Sequence, residues 1–472
     1  MAFATIDKKI LQELEKLVGE KNILVRKEDM AAYSHDEFSS EDIAHFPDVV
    51  VKPESAEQVS CILKLANEYT LPVTPRGGGT GLCGGCVPVH GGIVLSMERM
   101  NKVIEVDAEN LMAVTQAGVT LHDFYKAIHA CGLFFPPHPG DEGAHIGGVI
   151  ANNAGGARAV KYGVVRNFVH GLEVVLPDGD IVHLGGKLMK SSTGYSLLHL
   201  MVGSEGTLGI ITQATISLLP PPAVMYTLVI PFDSLSKAIS TVPDILRNKI
   251  IPMAVEFLES KTISITEALL HKTWPCHEGE AHLMLILDGS NEDEVMALAE
   301  QVQEIAMARG ALDVLIASEK SKQQTILDIR SHIYEAMRAY MLEILDITVP
   351  RASIADFVNA VHRIEEEYQI WLPTYGHAAD GNVHTHIMKA HFEKGEWKEN
   401  PGWQRKYPQV RKALHDMGKK YSGLVSGEHG VGFVKKEYLD TFLEQKQIAL
   451  MKEIKKAFDP RSILNPGKIF PS

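Results

Sequence analysis

The sequence predicts an α+β protein of two domains, and three observations lead there. Glycines crowd three stretches before residue 222, "TPRGGGTGLCGGCVPVHGG", "HPGDEGAHIGGVIANNAGGARAVKYG" and "GYSLLHLMVGSEGTLGIITQ", each bedded between short apolar runs. The triple proline Pro220–Pro222 then breaks the chain, because consecutive prolines cannot continue a helix or an inner strand. Beyond it, strands and helices alternate in three successive units. A chain of 472 residues is moreover too long for one ordinary core. The boundaries fall at residues 1–222 and 223–425, with a motif-dense tail over residues 426–472.

Taken in order, "MAFATIDKKILQELEKL" reads as an amphipathic helix with Ile10, Leu11, Leu14 and Leu17 on one face, not as a secretory signal. "DVVVKPESAEQVSCILKLANEYTLPVTPRGGG" gives strand, helix and strand, the helix running from about Ser55 to Glu68. "GGIVLSM", "KVIEVD" and "LMAVTQAGV" follow as three short strands. After the prolines come "TLVIPF", a helix from about Ser234 and "MAVEFLES"; then "HLMLILDG", a helix from about Asn291 and "LDVLIAS"; then "LDITVP", a helix from about Ser353 and "LPTYGHA". Three units of one plan predict helices packed on one face of a sheet.

Composition bounds the function. Hydrophobic residues at 45% and charged residues at 22% suit a soluble globular protein, and the net charge of -13 argues against nucleic acid or an anionic membrane surface as the main partner. No apolar run reaches the roughly 20 residues that a spanning helix needs, so no transmembrane segment is expected. The 5 cysteines (Cys61, Cys83, Cys86, Cys131, Cys276) are too scattered for a disulfide framework, which points to a reducing, cytoplasmic location.

Glycine lets backbone N–H groups approach phosphate oxygens with no Cβ in the way. The first cluster lacks the Gly-Lys-Ser/Thr of a P-loop. Its G-x-G-x-x-G string at Gly79, Gly81 and Gly84 leads into Gly85, Pro88 and a β-rich stretch, so it does not open a helix as a Rossmann fingerprint must. Any one cluster is compatible with ordinary turns; three together, with the pair Asn152–Asn153, point to a nucleotide. Cys83 and Cys86 form a Cys-x-x-Cys inside this loop rather than at a helix start, which favours a structural over a redox role.

A second constellation lies in "GHAADGNVHTH", where His377 and His384 flank a tight-turn sequence and His386 shares a strand face with His384. "SGEHGVG" adds Glu428 and His429. Two imidazoles and a carboxylate suit Zn²⁺, Mn²⁺ or Fe²⁺, although spacing alone leaves ordinary polar roles open.

"PRGGGTGL", "HPGDEGAHIGGVIANNAGG", the "YG" at Tyr162 and "GSEGTLGIIT" resemble the FAD-binding domain of the vanillyl-alcohol oxidase/PCMH flavoprotein family. With "YGHAADGNVHTH", "GEHGVG" and "LNPGK", nearly the whole chain is similar to the FAD-linked D-2-hydroxyacid dehydrogenases, a group that includes D-lactate dehydrogenases and the glycolate oxidase D subunit. The resemblance implies a two-part PCMH-type FAD-binding domain, an α/β cap domain with an antiparallel sheet flanked by helices and carrying metal ligands, and a tail that returns to the FAD domain. It places FAD against Pro75, Arg76, Gly77, Gly78, Gly79, Thr80, Gly81 and Leu82 around the pyrophosphate. Pro139, Gly140, Asp141, Ile146, Gly147, Gly148, Asn152, Asn153, Gly155, Gly156, Tyr162, Gly163 and Asn465 would line the rest, and Glu205, Gly206 and Ile211 the adenine side. The first loop lacks the histidine of covalently flavinylated relatives, which implies non-covalent FAD.

The resemblance likewise assigns a divalent metal (Zn, Fe or Mn) to His377, His384 and Glu428, and the active-site base to His429. Arg330 matches the family's substrate arginine and is taken with His386 as a further catalytic residue; Arg351 is the weaker candidate for the carboxylate clamp. Where 2-hydroxyglutarate-type members carry a substrate lysine, this chain has Ile344 or Leu345. An apolar lining disfavours a second buried carboxylate, so D-lactate is expected before glycolate and before any dicarboxylate. The reaction implied is oxidation of a small D-2-hydroxy acid to the 2-keto acid. Electrons would pass from FAD to a protein acceptor, an electron-transfer flavoprotein or an iron–sulfur subunit. A metal-free oxidase and a non-catalytic flavin-binding subunit are the alternatives.

Overall fold

The computed structural model describes residues 3–38 and 43–470, so residues 1–2, 39–42 and 471–472 of the expected domains lie outside it. The chain forms two units. Met1–Gly155, Val164–Pro221 and Glu428–Ser472 make up the first, and Gly156–Gly163 and Pro222–Gly427 the second. Gly156–Gly163 thus belongs with the later part of the chain and not with residues 1–222, because Ala157, Val160 and Tyr162 pack into the apolar clusters of the second unit.

In the first unit, β-branched runs make Val49–Val51, Ile93–Ser96 and Val73–Arg76, which are parallel neighbours in a four-stranded sheet edged by Ile23–Leu24. Parallel neighbours ordinarily need a helical crossover. Here Val73–Arg76 is joined to Ile93–Ser96 by the glycine loop of residues 77–92, which contains no helix. The tail closes the same strand: Val73 donates to the Ile463 carbonyl at 2.8 Å, and Asn465 donates to the Val73 carbonyl at 2.7 Å. A second sheet is antiparallel, with Ile210–Ser217 at its centre between Met112–Gln116 and Val169–Val175, and with Val103–Asp107 and Ile181–Gly185 outermost. The helix Ala56–Tyr69 starts where Ser55 accepts from the Gln58 N–H, as a capping serine does.

The second unit is built on a seven-stranded antiparallel sheet. Its order is Leu315–Ala317, Val224–Phe232, Ala281–Gly289, Ala254–Glu259, Thr374–His377, Asn382–Met388 and Met341–Thr348. Side chains alternate between faces with period two. Val255, Phe257, Leu283, Leu285, Leu345, Ile347 and Val383 pack on one face with the helices Leu235–Arg247, Glu292–Ala308, Ile354–Tyr368 and Trp403–Lys420.

The expectation of helices on a single face is corrected by three further helices, Ser260–Leu270, Lys320–Ser331 and Ile333–Arg338. Their Ile263, Ile326, Ile329, Ile333 and Met337 cover Val229, Met284 and Met388 on the other face. "KSKQQTILDIRS" buries only Ile326 and Ile329, too sparse an apolar stripe to announce a packed helix. Among the described residues no helix is long and apolar enough to cross a membrane.

Gly376 shows how closely the strands of the hairpin Thr374–His377/Asn382–Met388 are set. A Cβ there would run into the Asn382 carbonyl oxygen and stand 3.1 Å from the Val383 Cα. Gly376→Ala is therefore expected to lower unfolding stability by about 1–3 kcal/mol, as overpacking does, seen as a fall in the urea midpoint at unchanged slope. An unmoved midpoint would mean that the strands can part there without cost.

Candidate active site

The first glycine loop and the helix Ile146–Asn152 border a cleft of about 1300 Å³, open mouth included, which lies within the first unit. Two adjacent glycines show why the sequence is so bare here. A Cβ on Gly147 would stand 2.7 Å from the Ala117 Cβ, so the helix needs glycine to seat itself. A Cβ on Gly148 would meet nothing within 4 Å, so its bare α-carbon leaves open space at the cleft, where a ligand can approach the backbone. Arg76 lines the cleft, but its guanidinium donates to the carbonyls of Ala32 (2.7 Å) and His35 (2.6 Å) and to the Cys86 Sγ (3.1 Å). It braces the loop from behind. Burial pushes the nearby Asp36 carboxyl up to about 6.

The loop Glu428–Gly432 borders the same cleft with Glu428 and His429. His429 is half-buried, its Nε2 lies 3.8 Å from the Glu428 Oε1, and its carbonyl accepts from the Cys83 Sγ at 3.2 Å. The Cys83 carbonyl in turn accepts from Phe433 and Val434 at 2.9 and 3.1 Å. Glu205, also at the cleft, accepts from the Val431 and Gly432 N–H groups at 2.8 and 2.7 Å. Burial raises its carboxyl pKa against the pull of those two donors. Cys83 is a docking post: burial drives its thiol well above the ordinary range and that of Cys86 to about 11, which opposes redox-dithiol chemistry.

On the second unit's sheet, the pairings Glu256–His377, Tyr375–His384, Asp346–His384 and Ile344–His386 bring these side chains to one face. Glu256 has no exposure. Its Oε1 accepts from the His377 Nδ1 at 2.6 Å and its Oε2 from the Arg330 Nε at 2.7 Å, with a second, shorter contact to Nη2. Burial alone would raise its pKa, but Arg330 and His377 outweigh that and hold it at about 2. With Nδ1 committed to a carboxylate, the neutral form of His377 carries its lone pair on Nε2. The Nε2 atoms of His377 and His384 lie 3.5 Å apart. Two metal–nitrogen bonds of about 2.1 Å at a tetrahedral angle would set them roughly 3.4 Å apart, so the pair fits a metal, with Glu256 orienting one ligand from behind. Asp346 stands 3.9 Å from the His384 Nδ1 and accepts from Asn382, Ser426 and the Gly427 N–H. The Arg330 guanidinium lies over the Tyr375 ring at 4.9 Å. The Tyr375 hydroxyl meets the His386 Nε2 at 3.1 Å, and the Met341 Sδ meets its Nδ1 at 3.1 Å.

Of the expected flavin contacts, Pro75 through Leu82, Pro139, Asp141, Gly147, Gly148, Asn152, Gly155, Glu205, Gly206, Ile211 and Asn465 border the cleft. Ile146 is fully buried beneath it, and Asn153 turns its side chain to the Arg166 N–H. Gly140 does not border the cleft, and Gly156, Tyr162 and Gly163 lie in the second unit, where the Tyr162 hydroxyl donates to Asp288 at 3.1 Å. Arg351 is exposed beside Asp244 and Arg309, apart from the histidines. Sequence reasoning passed over Glu256, Asp346 and Tyr375. The signal for the first two was a carboxylate set directly between apolar neighbours, Val255 and Phe257 in "MAVEFLES" and Leu345 and Ile347 in "EILDITVP".

Comparison with known proteins bears on both units. The family model described as "FAD linked oxidases, C-terminal domain" matches residues 221–469, and that described as "FAD binding domain" matches residues 47–185. The D-lactate dehydrogenase of Archaeoglobus fulgidus is 48% identical over 421 residues, covering 89% of this chain and 91% of that one. The glycolate oxidase subunit GlcD of Bacillus subtilis is 38% identical, covering 98% of this chain and 97% of its own. The D-2-hydroxyglutarate dehydrogenase of Stutzerimonas stutzeri is 30% identical, covering 98% and 99%. Among solved structures, p-cresol methylhydroxylase with substrate bound shares the fold, with a TM-score of 0.79 over 98% of this chain and 96% of that one at 20% identity.

Two measurements test the chemistry of these groups. Glu256→Ala strips the buried His377 and the half-buried Arg330 of their carboxylate and is expected to cost about 3–5 kcal/mol of stability, by denaturant titration. A loss below about 1 kcal/mol would mean that water replaces the carboxylate. In the folded protein at neutral pH, a maleimide should label the exposed Cys61 and Cys131 and leave Cys83 and Cys86 unlabelled until denaturant is added. Rapid labelling of Cys83 would contradict its burial, and rapid labelling of the half-buried Cys86 would contradict its raised thiol pKa.

Proposed function

This chain belongs to the FAD-linked oxidases, and within them to the FAD-linked D-2-hydroxyacid dehydrogenases, and from that premise we propose that it oxidises D-lactate to pyruvate with the help of a divalent metal. The observation that carries the finer reading is the imidazole pair His377–His384, 3.5 Å apart at Nε2, on the sheet face where a buried carboxylate also holds Arg330. His377 and His384 would hold a Zn, Fe or Mn ion with Glu428 as a third ligand. Such an ion lowers the pKa of a hydroxyl bound to it.

The chain's own groups do the rest. Arg330, with its plane fixed by Glu256, offers a planar donor fork to the substrate carboxylate. His429 takes the proton of the substrate hydroxyl, a task for an imidazole whose ordinary pKa of about 6.5 lies near neutrality. Bound FAD supplies the acceptor for the Cα hydride, so the substrate loses two electrons and becomes the 2-keto acid. Ile344, Met341 and Tyr375 around His386 give the substrate's far end an apolar surround, which suits a methyl group and opposes a second carboxylate. A protein acceptor, an electron-transfer flavoprotein ahead of an iron–sulfur subunit, would take the electrons onward, and five unpaired thiols support a reducing, cytoplasmic setting.

The test is an anaerobic titration of the purified flavoprotein with D-lactate before and after chelation. The flavin should bleach, chelation should stop the bleaching, and added divalent metal should restore it. Bleaching by glycolate or 2-hydroxyglutarate but not by D-lactate would replace the substrate and keep the mechanism. No bleaching by any hydroxy acid would leave a non-catalytic flavin-binding subunit. His429→Ala should remain yellow and folded while its flavin is reduced about 10²–10⁴-fold more slowly, and an unchanged rate would remove His429 as the base.

A further inference from the structure

We infer that Glu205 is a positioning residue that holds His429 at the flavin cleft, an inference that rests on the proposed role of His429 as base. The loop carrying His429 is intrinsically loose. Gly430 and Gly432 have φ of +88° and +55°, and glycine imposes little rotational restraint on its own peptides. Something outside the loop must fix it. Glu205 spends one carboxylate oxygen on the Val431 N–H and the other on the Gly432 N–H, two and three residues beyond His429.

The backbone of Glu205 is anchored independently. Its N–H donates to the Ala151 carbonyl at 2.8 Å, in the helix Ile146–Asn152 that borders the cleft, and its own carbonyl accepts from the Asn465 Nδ2 at 2.8 Å. Glu205 also sits at φ +52°, a left-handed conformation that a non-glycine residue keeps only where its surroundings over-determine it. Lys435 and Lys468 pull its pKa down against the burial that raises it, and in the ionised form both oxygens accept. Cys83 grips the same loop from its other side, with the thiol on the His429 carbonyl and the carbonyl under Phe433 and Val434. The resemblance places Glu205 on the adenine side of the cleft; its carboxylate is bonded to the loop that carries His429, and so ties the cofactor's helix to the base.

The full-length, FAD-loaded protein tests this with Glu205→Gln, which keeps the shape and loses one acceptor. The peptide spanning residues 428–434 should exchange its amide hydrogens roughly tenfold to a hundredfold faster, the range set by one charge-assisted hydrogen bond, while FAD content and exchange elsewhere stay as in wild type. Flavin reduction at saturating D-lactate should slow by a similar factor with the half-saturating concentration unchanged, a split that general destabilisation would not produce. Cys83→Ala should act in the same direction, and Cys83→Ser, which keeps a donor, should restore both readouts. Should Glu205→Gln not fold, the Cys83 pair decides. Unchanged exchange in the loop overturns the inference, and so does faster exchange with an unchanged reduction rate. A wild type that no hydroxy acid reduces would sink the proposed function, and loop exchange would then decide the latch alone.

Discussion

An ionised carboxylate taken out of water must be surrounded by donors or cations, because the interior otherwise destabilises it by several kcal/mol. Much of the second unit's polar face follows from meeting that constraint at Glu256. One oxygen goes to Arg330 and the other to His377. The first bond sets the guanidinium plane, which then stacks on Tyr375, and Tyr375 in turn holds His386 through its hydroxyl. The second bond selects the His377 tautomer and turns Nε2 toward His384. Four side chains thus inherit their directions from one buried charge. The same constraint recurs in the first unit, where Glu205 is satisfied by two backbone N–H groups rather than by a guanidinium, and so orders a loop instead of a sheet face.

Much of this was legible in the sequence, for reasons that differ from segment to segment. The helices beginning after Ser55, Ser234 and Asn291 announced themselves through side chains that cap their first turn. The alternation in "GHAADGNVHTH" put His384 and His386 on one face before any register was known, and the turn residues put His377 within reach. The glycine clusters around the cleft were readable because few other residues let two backbones come so close.

What stayed hidden depends on distance along the chain. Glu256 and Arg330 are 74 residues apart, Glu205 and Val431 226 apart, and Cys83 and His429 346 apart. No local pattern encodes such pairings, because each partner's neighbourhood looks ordinary until the fold joins them. Tyr162 illustrates the reverse case. It sits within a recognisable motif, yet an apolar cluster and Asp288 draw its segment into the second unit.

The strand Val73–Arg76 pairs with Leu464 and is bonded to Ile463 and Asn465, and the cleft it opens into needs Glu428, His429 and Asn465 along its border. During synthesis those residues leave the ribosome only after the whole second unit has been made. At about 5–20 residues per second, the interval between Pro221 and Asn465 is roughly 12 to 50 seconds. For that time the nascent first unit has its glycine loops but lacks the wall that completes them. FAD therefore has its full binding surface only on a finished or nearly finished chain, which makes cofactor capture a late event and leaves a prematurely terminated product without a complete flavin site.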